Sequence, residues 1–378
     1  MEGLLIITPM FAHGGSGSAV YYRLLADHLG KDGIPVTVIS EQTRDLAATG
    51  DDVIGLFPQR SSRNRHPVRD ALAHGWQNLK YLELPAVVRE VDPATVLVHS
   101  SFYSLPGIFP TVMSRITKDS SGRRRFVADV RDVLMPPERV PCLLGFGRII
   151  ACSKSVEAHL IASGLAPERI TLVPVLQEPL NVPQRTLEAT LEKHNLPGRR
   201  YLFYAGLIKE LKAVDLLLEA FLEHVRPRLP DLTLVVSGHL KTDNRFIRGA
   251  LGADGVRYLG NLPRTDVLAL MAGAALVVNL APNEGLPRSS LEALALGRPT
   301  LLPPNVPEFT EHCREFVASS RSAEEIAGQM IELLERGAVP RYPIGEHAPE
   351  RVLPLYAEIL GEEYKVMRNE WVTGKRFD

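Results

Sequence analysis

The feature that most narrows the folds open to this chain is a repeated pairing. A short, continuously apolar run leads through a small-residue turn into an amphipathic helical pattern. "LLIITPM" passes through "HGGSGS" into "AVYYRLLADHLGKDG", which closes on Gly33. "IPVTVIS", "TVLVHSS", "RFVADV" and "RIIACS" follow as further strand candidates, with helical stretches between them. Strands of a parallel sheet are covered on both faces by crossover helices, so they read as unbroken apolar runs rather than alternating ones. The pattern predicts βαβ units and an open α/β sheet.

The rhythm stops once and restarts. Residues 175–200, "VLQEPLNVPQRTLEATLEKHNLPGRR", hold three prolines and mostly polar residues, as expected of an inter-domain connection with one short helix. Beyond it come "YLFYAG", "LTLVVSG", "VRYLG", "ALVVNL" and "PTLLP", again with helices between them. At 378 residues the chain exceeds what one core usually fills. The expected organisation is a Rossmann-like domain over residues 1–177, a second over 178–348, and a C-terminal segment, 349–378. That segment, "ERVLPLYAEILGEEYKVMRNEW", is amphipathic and is expected to form a helix that returns to the N-terminal half. Open parallel sheets bind ligands outside the carboxyl ends of their strands, so two facing sheets would frame a central cleft.

Composition removes several function classes. A formal net charge of −1 argues against nucleic acid as the main partner, because duplex binding relies on a basic excess. Three scattered cysteines, Cys142, Cys152 and Cys313, make neither a disulfide framework nor a zinc knuckle. No apolar run approaches the ~20 residues of a membrane span. The opening "MEGLLIITPMF" lacks a basic n-region and a cleavage pattern. The expectation is a cytoplasmic protein that touches a membrane surface at most. Arginines crowd "QRSSRNRHPVRD" and "GRRRF". Either these are solvated loops, or they form a basic N-terminal face for anionic lipid or a pyrophosphate-linked acceptor.

Three stretches can carry chemistry. In "HGGSGS", glycines allow close backbone approach, and the helix start that follows attracts an anion. A phosphate seat and a plain strand-to-helix turn both fit. A dinucleotide fingerprint is incomplete, since Val20 stands at the third glycine position, although Glu41 ends the next strand. In "YAGLIKELKAVDLLLEAF", Lys209 and Lys212 follow a strand; they are either solvated or placed against a departing phosphate. In "NEGLPRSSLEALALGRPT", Glu284 sits at a strand exit and Glu292 on the helix that follows. Pro287 suits the first helical turn and Gly297 the helix end. Two carboxylates flanking a helix N-terminus can meet a sugar, a diphosphate and a ribose of one extended ligand. Taken alone, such a pair also fits an ordinary surface helix.

With these pieces in the same order, the chain resembles the retaining GT-B glycosyltransferases of family 4 over nearly its whole length. The resemblance rests on "HGGSGSAVYYRLLADHLGKDG", "RIIACSKSVEAHLIASGLAPERITLVP", "YAGLIKELKAVDLLLEAF", "VRYLGNLPRTDVLALMAGAALVV" and "NEGLPRSSLEALALGRPTLLPPNVPEF". It implies that Glu284 contacts hydroxyls of the donor sugar, that Glu292 binds the ribose, and that Leu286, Arg288 and Ser289 hold the diphosphate together with Gly14, Gly15 and Ser16. It places Lys212 and Lys209 near the leaving group, and adds Gly238 and Leu262 to the donor side. Three departures accompany it: Leu207 stands where the family has an arginine, Arg131 where many members have a histidine, and "VLQEPL" where an asparagine-glycine turn is common. His99 and Asp132 are further sugar or acceptor candidates.

The implied reaction moves a sugar from a nucleoside-diphosphate sugar, a UDP-sugar being favoured, to a carbohydrate or glycolipid hydroxyl with retention, in cell-surface polysaccharide or glycoconjugate synthesis. The nucleotide sugar is a substrate, and no cofactor is implied. No D-x-D occurs in the chain, so no metal is expected. Leu207 and Arg131 keep open a weak or non-catalytic nucleotide-sugar-binding subunit of the same fold.

Overall fold

The computed structural model describes residues 3–9, 11, 17–41, 52–57, 75–76, 78–103, 107–119 and 122–361. The chain divides into two compact units, Met1–Leu176 with Pro349–Asp378, and Gln177–Ala348.

The first unit runs β1 (Leu4–Ile7), α1 (Gly17–Lys31), β2 (Val36–Glu41), β3 (Asp52–Phe57), α2 (Leu84–Val91), β4 (Thr95–His99), α3 (Phe109–Asp119), β5 (Arg125–Val130), β6 (Arg148–Ala151), α4 (Lys154–Ala162) and β7 (Ile170–Leu172). The strands pair in the order β3-β2-β1-β4-β5-β6-β7, and every pairing is parallel. β1 and β4 are buried along their whole length, as their unbroken apolar sequence requires. Two strands escape the sequence pattern. β3, "DVIGLF", is an edge strand that carries an aspartate and a glycine. β7, at the other edge, has three residues. An aromatic cluster fills one end of the sheet, with Phe102 stacked on Phe109 at 4.4 Å and edge-on to Phe57 at 5.2 Å.

The second unit runs α5 (Gln184–Lys193), β8 (Tyr201–Ala205), α6 (Val214–Glu219), β9 (Thr233–Ser237), α7 (Arg245–Ala250), β10 (Val256–Tyr258), α8 (Arg264–Gly273), β11 (Leu276–Val278), α9 (Arg288–Ala295), β12 (Thr300–Leu301), α10 (Pro307–Cys313) and α11 (Ala323–Arg336). Its sheet is parallel throughout, in the order β10-β9-β8-β11-β12. Tyr201, Phe203, Val235, Leu270, Met271 and Val277 form its core. The helix expected within residues 175–200 is α5.

The final helix, α12 (Pro349–Leu360), belongs to the first unit, as expected of the returning C-terminal segment. Its buried face is Val352, Leu353, Tyr356, Ala357, Ile359 and Leu360. The Tyr356 hydroxyl hydrogen-bonds that of Tyr21 on α1. Arg125 Nη1 donates to the Leu360 carbonyl at 2.5 Å, satisfying one of the acceptors that a helix end leaves open. Gly361 follows at φ 113, where a Cβ would run into the Arg125 guanidinium.

Candidate active site

In a doubly wound parallel sheet, the crevice opens where the strand order reverses, beyond the carboxyl ends of the two central strands. In the second unit those strands are β8 and β11. The loops leaving them carry the residues singled out from sequence. Lys212 Nζ donates to Glu284 Oε1 at 2.5 Å, with the side chains 24% and 15% exposed. The turn that carries Lys212 is tightly built. Lys209, half-buried, opens it in extended geometry, and Ile208 bridges to Leu240. Thr242 Oγ1 donates to Glu210 Oε1 at 2.5 Å. Ala213 then takes φ 51, the left-handed region that a residue with a Cβ seldom occupies, and so joins the Glu210–Lys212 turn directly to α6. Leu207 is half-buried there, and its carbonyl accepts from the Tyr204 hydroxyl at 2.8 Å.

The loop after β11 is anchored at both ends. Asn279 Oδ1 accepts from the Ala281 N–H at 3.1 Å, and its amide donates to Ser290 Oγ at 3.2 Å, tying the strand exit to the first turn of α9. Pro287 is the residue before the helix, one position earlier than the sequence pattern placed it, and Arg288 is the first helical residue. Pro287, the residue before the helix, makes no side-chain capping bond, and the opening N–H groups of such a helix attract an anion. Leu286 is buried, while Ser289 is half-buried on the first turn. Gly297, at φ 62, ends the helix as expected.

Glu292, the fifth residue of α9, is almost fully buried. Arg264 Nη1, from the first residue of α8, donates to its Oε1, and Arg288 Nη1 lies 3.8 Å from the same oxygen. Arg288 Nη1 also donates to Gln177 Oε1 at 3.4 Å, and the Gln177 N–H is held by the His347 carbonyl at 2.8 Å. Gly238, just past β9, takes φ 144, and a Cβ there would stand 1.7 Å from the Gly206 carbonyl oxygen, so glycine is required. Leu262 packs against the core of the unit.

In the first unit the reversal lies between β1 and β4. Gly14, Gly15 and Ser16 lie outside the described residues, as does "QRSSRNRHPVRD". His99 ends β4, buried, its Nδ1 sharing a 2.5 Å hydrogen bond with Ser101 Oγ and its ring edge-on to Tyr22. Burial, reinforced by the Arg131 charge, pushes its imidazole down to about 3, so it is neutral near pH 7. Arg131 points inward. Its guanidinium lies 3.5 Å from the centre of the Tyr21 ring and 3.5 Å from Asp129 Oδ1. Asp129 accepts from the Tyr22 hydroxyl at 2.8 Å, and burial pushes its carboxyl up against the opposing pull of Arg131. Asp132 accepts from the Leu134 N–H at 2.9 Å, a turn-forming bond. Within "GRRRF", Arg124 pairs with Asp92 and Arg125 caps α12, so two of its three arginines are engaged inside the unit. Glu41 accepts from the Phe11 N–H, at 3.2 Å and 3.1 Å to its two oxygens, which gives this strand-end acid a structural use.

Known proteins fit this geometry. Residues 15–175 match the family model described as Glycosyltransferase Family 4, and residues 199–336 match the one described as Glycosyl transferases group 1. The chain is a pair of glycosyltransferase domains with the GT-B fold. No curated protein matches it by sequence. Among solved structures, HepE from Anabaena, determined with UDP-glucose, is similar over 95% of this chain and 98% of its own, with a TM-score of 0.71 at 15% identity. The sucrose-phosphate synthase of Thermosynechococcus elongatus is similar over 99% and 100%, with a TM-score of 0.69 at 18% identity. WaaG, a glycosyltransferase involved in lipopolysaccharide biosynthesis, is similar over 98% and 95%, with a TM-score of 0.63 at 16% identity.

Two groups around the glycosyltransferase motifs were not evident from sequence. Arg264 and Gln177 reach Glu292 and Arg288 across 28 and 111 residues. No local pattern marks either one. Among the described residues, no three His, Cys, Asp or Glu side chains converge as a metal site, and no helix is long and apolar enough to cross a membrane.

Proposed function

We propose that this glycosyltransferase moves a sugar from a nucleoside-diphosphate sugar, a UDP-sugar by preference, to a hydroxyl of a carbohydrate or glycolipid, retaining the anomeric configuration. The observation that carries the reading is the Lys212–Glu284 pair at the strand reversal of the second sheet, one loop away from the start of α9 and from Glu292. A sugar, a diphosphate and a ribose find matching groups there in that order. The UDP-glucose held by HepE supports the choice of donor, as the family models support the reaction.

In this reading the bond between the anomeric carbon and the phosphate oxygen breaks, and the acceptor oxygen bonds that carbon on the same face. The acceptor proton passes to the departing phosphate. Donor hydroxyls donate to Glu284 and compete with Lys212 for it, which turns the ammonium towards the charge that develops on the phosphate. The α9 N-terminus meets the diphosphate, and Glu292 accepts from the ribose. Such a site orients and neutralises; it needs no group to accept the acceptor proton other than the leaving phosphate.

Leu207, in place of a second cation, favours a slower enzyme or a binding subunit. One assay separates these readings: nucleoside-diphosphate release from a panel of nucleotide sugars, with wild type beside Glu284→Gln. Release by wild type and not by the variant supports transfer. No release from any donor, together with tight donor binding, supports the subunit.

A further inference from the structure

We infer that Arg264 is the positioning residue that makes this chain selective for a ribonucleotide, by fixing one oxygen of Glu292 and leaving the other for the ribose diol. The inference rests on the proposed donor site and adds to it a residue from a different helix.

A carboxylate receives a vicinal diol well when its plane is fixed, because both hydroxyls must find lone pairs at once. Glu292 alone would not be fixed, since glutamate has three side-chain torsions and the last is broad. Arg264 removes that freedom. It opens α8, directly after Pro263, so its backbone is set by the loop that follows β10. Its side chain is 32% exposed, and its guanidinium closes on Oε1. Oε2 makes no hydrogen bond among the described residues. Arg288, four residues back on the same helix, lies on the Oε1 side as well, at 3.8 Å. Both cations therefore approach one oxygen and leave the second to a ligand. They also offset the acidic charge that Glu292 would otherwise present to a diphosphate at the start of its own helix.

Arg288 is held by Gln177 and stands in the first turn of α9, where the diphosphate is proposed to sit, so its loss should weaken every nucleotide alike. Arg264 touches Glu292 and is not part of that turn. Its loss should fall on the ribose alone.

The test is isothermal titration of the full chain with the best-bound of UDP, GDP and ADP, and with its 2′,3′-dideoxy counterpart. Wild type should prefer the ribonucleotide by about tenfold or more. Arg264→Ala should bring the two within about threefold, chiefly by weakening the ribonucleotide. Arg264→Lys, which keeps one donor, should restore part of the preference. Glu292→Ala should match Arg264→Ala, and the double variant should lose nothing further. Thermal midpoints measured alongside show that each variant is folded. Full ribose preference in folded Arg264→Ala, with the preference lost in Glu292→Ala, overturns the inference and leaves the donor site standing. Wild type that binds no nucleoside diphosphate, or binds both forms equally, overturns the donor site and this inference with it.

Discussion

Lys212 and Glu284 are 72 residues apart in sequence and joined by a 2.5 Å ion pair at the exits of the two central strands of the second sheet. Neither side chain is deeply buried, so the pair is open to exchange with a ligand. Glu284→Gln keeps the shape and removes the charge. The expected result is a fall in kcat of about 100-fold or more, as for loss of one group that stabilises developing charge. Nucleoside-diphosphate affinity should stay within about threefold of wild type. Steady-state rates and calorimetric titration of the same two preparations check both halves.

The second sheet depends on a glycine contact that no side chain can replace. Gly238 holds φ 144 with the Gly206 carbonyl oxygen where a Cβ would be. Gly238→Ala should destabilise the second unit by roughly 3 kcal/mol or more, combining an unfavourable backbone with a direct clash. Chemical denaturation followed by circular dichroism measures this. A midpoint equal to wild type would refute the close packing of the two strand ends.

Much of the fold was legible because parallel strands buried on both faces leave an unmistakable apolar run. "RFVADV" is β5 residue for residue, and "TVLVHSS" contains β4, which stops two residues earlier at His99. β3 and β7 were not legible: at the sheet edges, coverage is partial and a strand is allowed Asp52 and Gly55, or three residues in all. The site divides the same way. Glu284, Lys212, Arg288 and Glu292 lie in local motifs, so spacing pointed to them. Arg264 and Gln177 act only through three-dimensional contacts that no window of sequence contains. Arg131 illustrates a third case: no local sequence pattern gives the direction of its side chain, which the Tyr21 ring and Asp129 draw inward.

Trp76, Leu79 and Leu82 are each more than half exposed, and they follow the arginine-rich run "QRSSRNRHPVRD" in sequence. Exposed apolar residues that follow basic ones in sequence would suit the surface of an anionic membrane. Wild type should co-float with vesicles containing anionic phospholipid and less with neutral ones. Replacing the three anchors by alanine should lower partitioning by about tenfold, the equivalent of roughly 1.4 kcal/mol. Equal flotation of wild type and variant would remove Trp76, Leu79 and Leu82 from consideration as membrane contacts.

Of the three cysteines, Cys142 is exposed whereas Cys152 and Cys313 are buried. Burial pushes both buried thiols up to about 11, and Cys152 also donates to the Arg131 carbonyl at 3.3 Å. At pH 8, only about one buried thiol in a thousand would be ionised, and the thiolate is the reactive form. Titration with a disulfide reagent should show one fast thiol in the native protein and three in denaturant. Alkylated peptides should identify the fast one as Cys142.

His99 gives the fold a sensitivity to acid whose sign follows from its surroundings. Folded, the imidazole is held near 3; unfolded, it titrates at its ordinary value of 6.5. Between those two values the unfolded chain binds the additional proton, so stability rises with pH through the window and is lost as pH falls below 6.5. The limiting slope from this one group is about 1.4 kcal/mol per pH unit. Asp129, raised by burial above its usual 3.8, acts in the opposite sense above that value, because the folded state then holds the proton longer than the unfolded one. A comparison of wild type with His99→Gln separates the two, since Asp129 is common to both. Urea denaturation at pH 7, 6 and 5 should show the variant losing less stability than wild type over that range, with the difference growing as the pH falls. Parallel losses in the two proteins would mean that the buried imidazole takes up a proton in the native state, as an unburied one would.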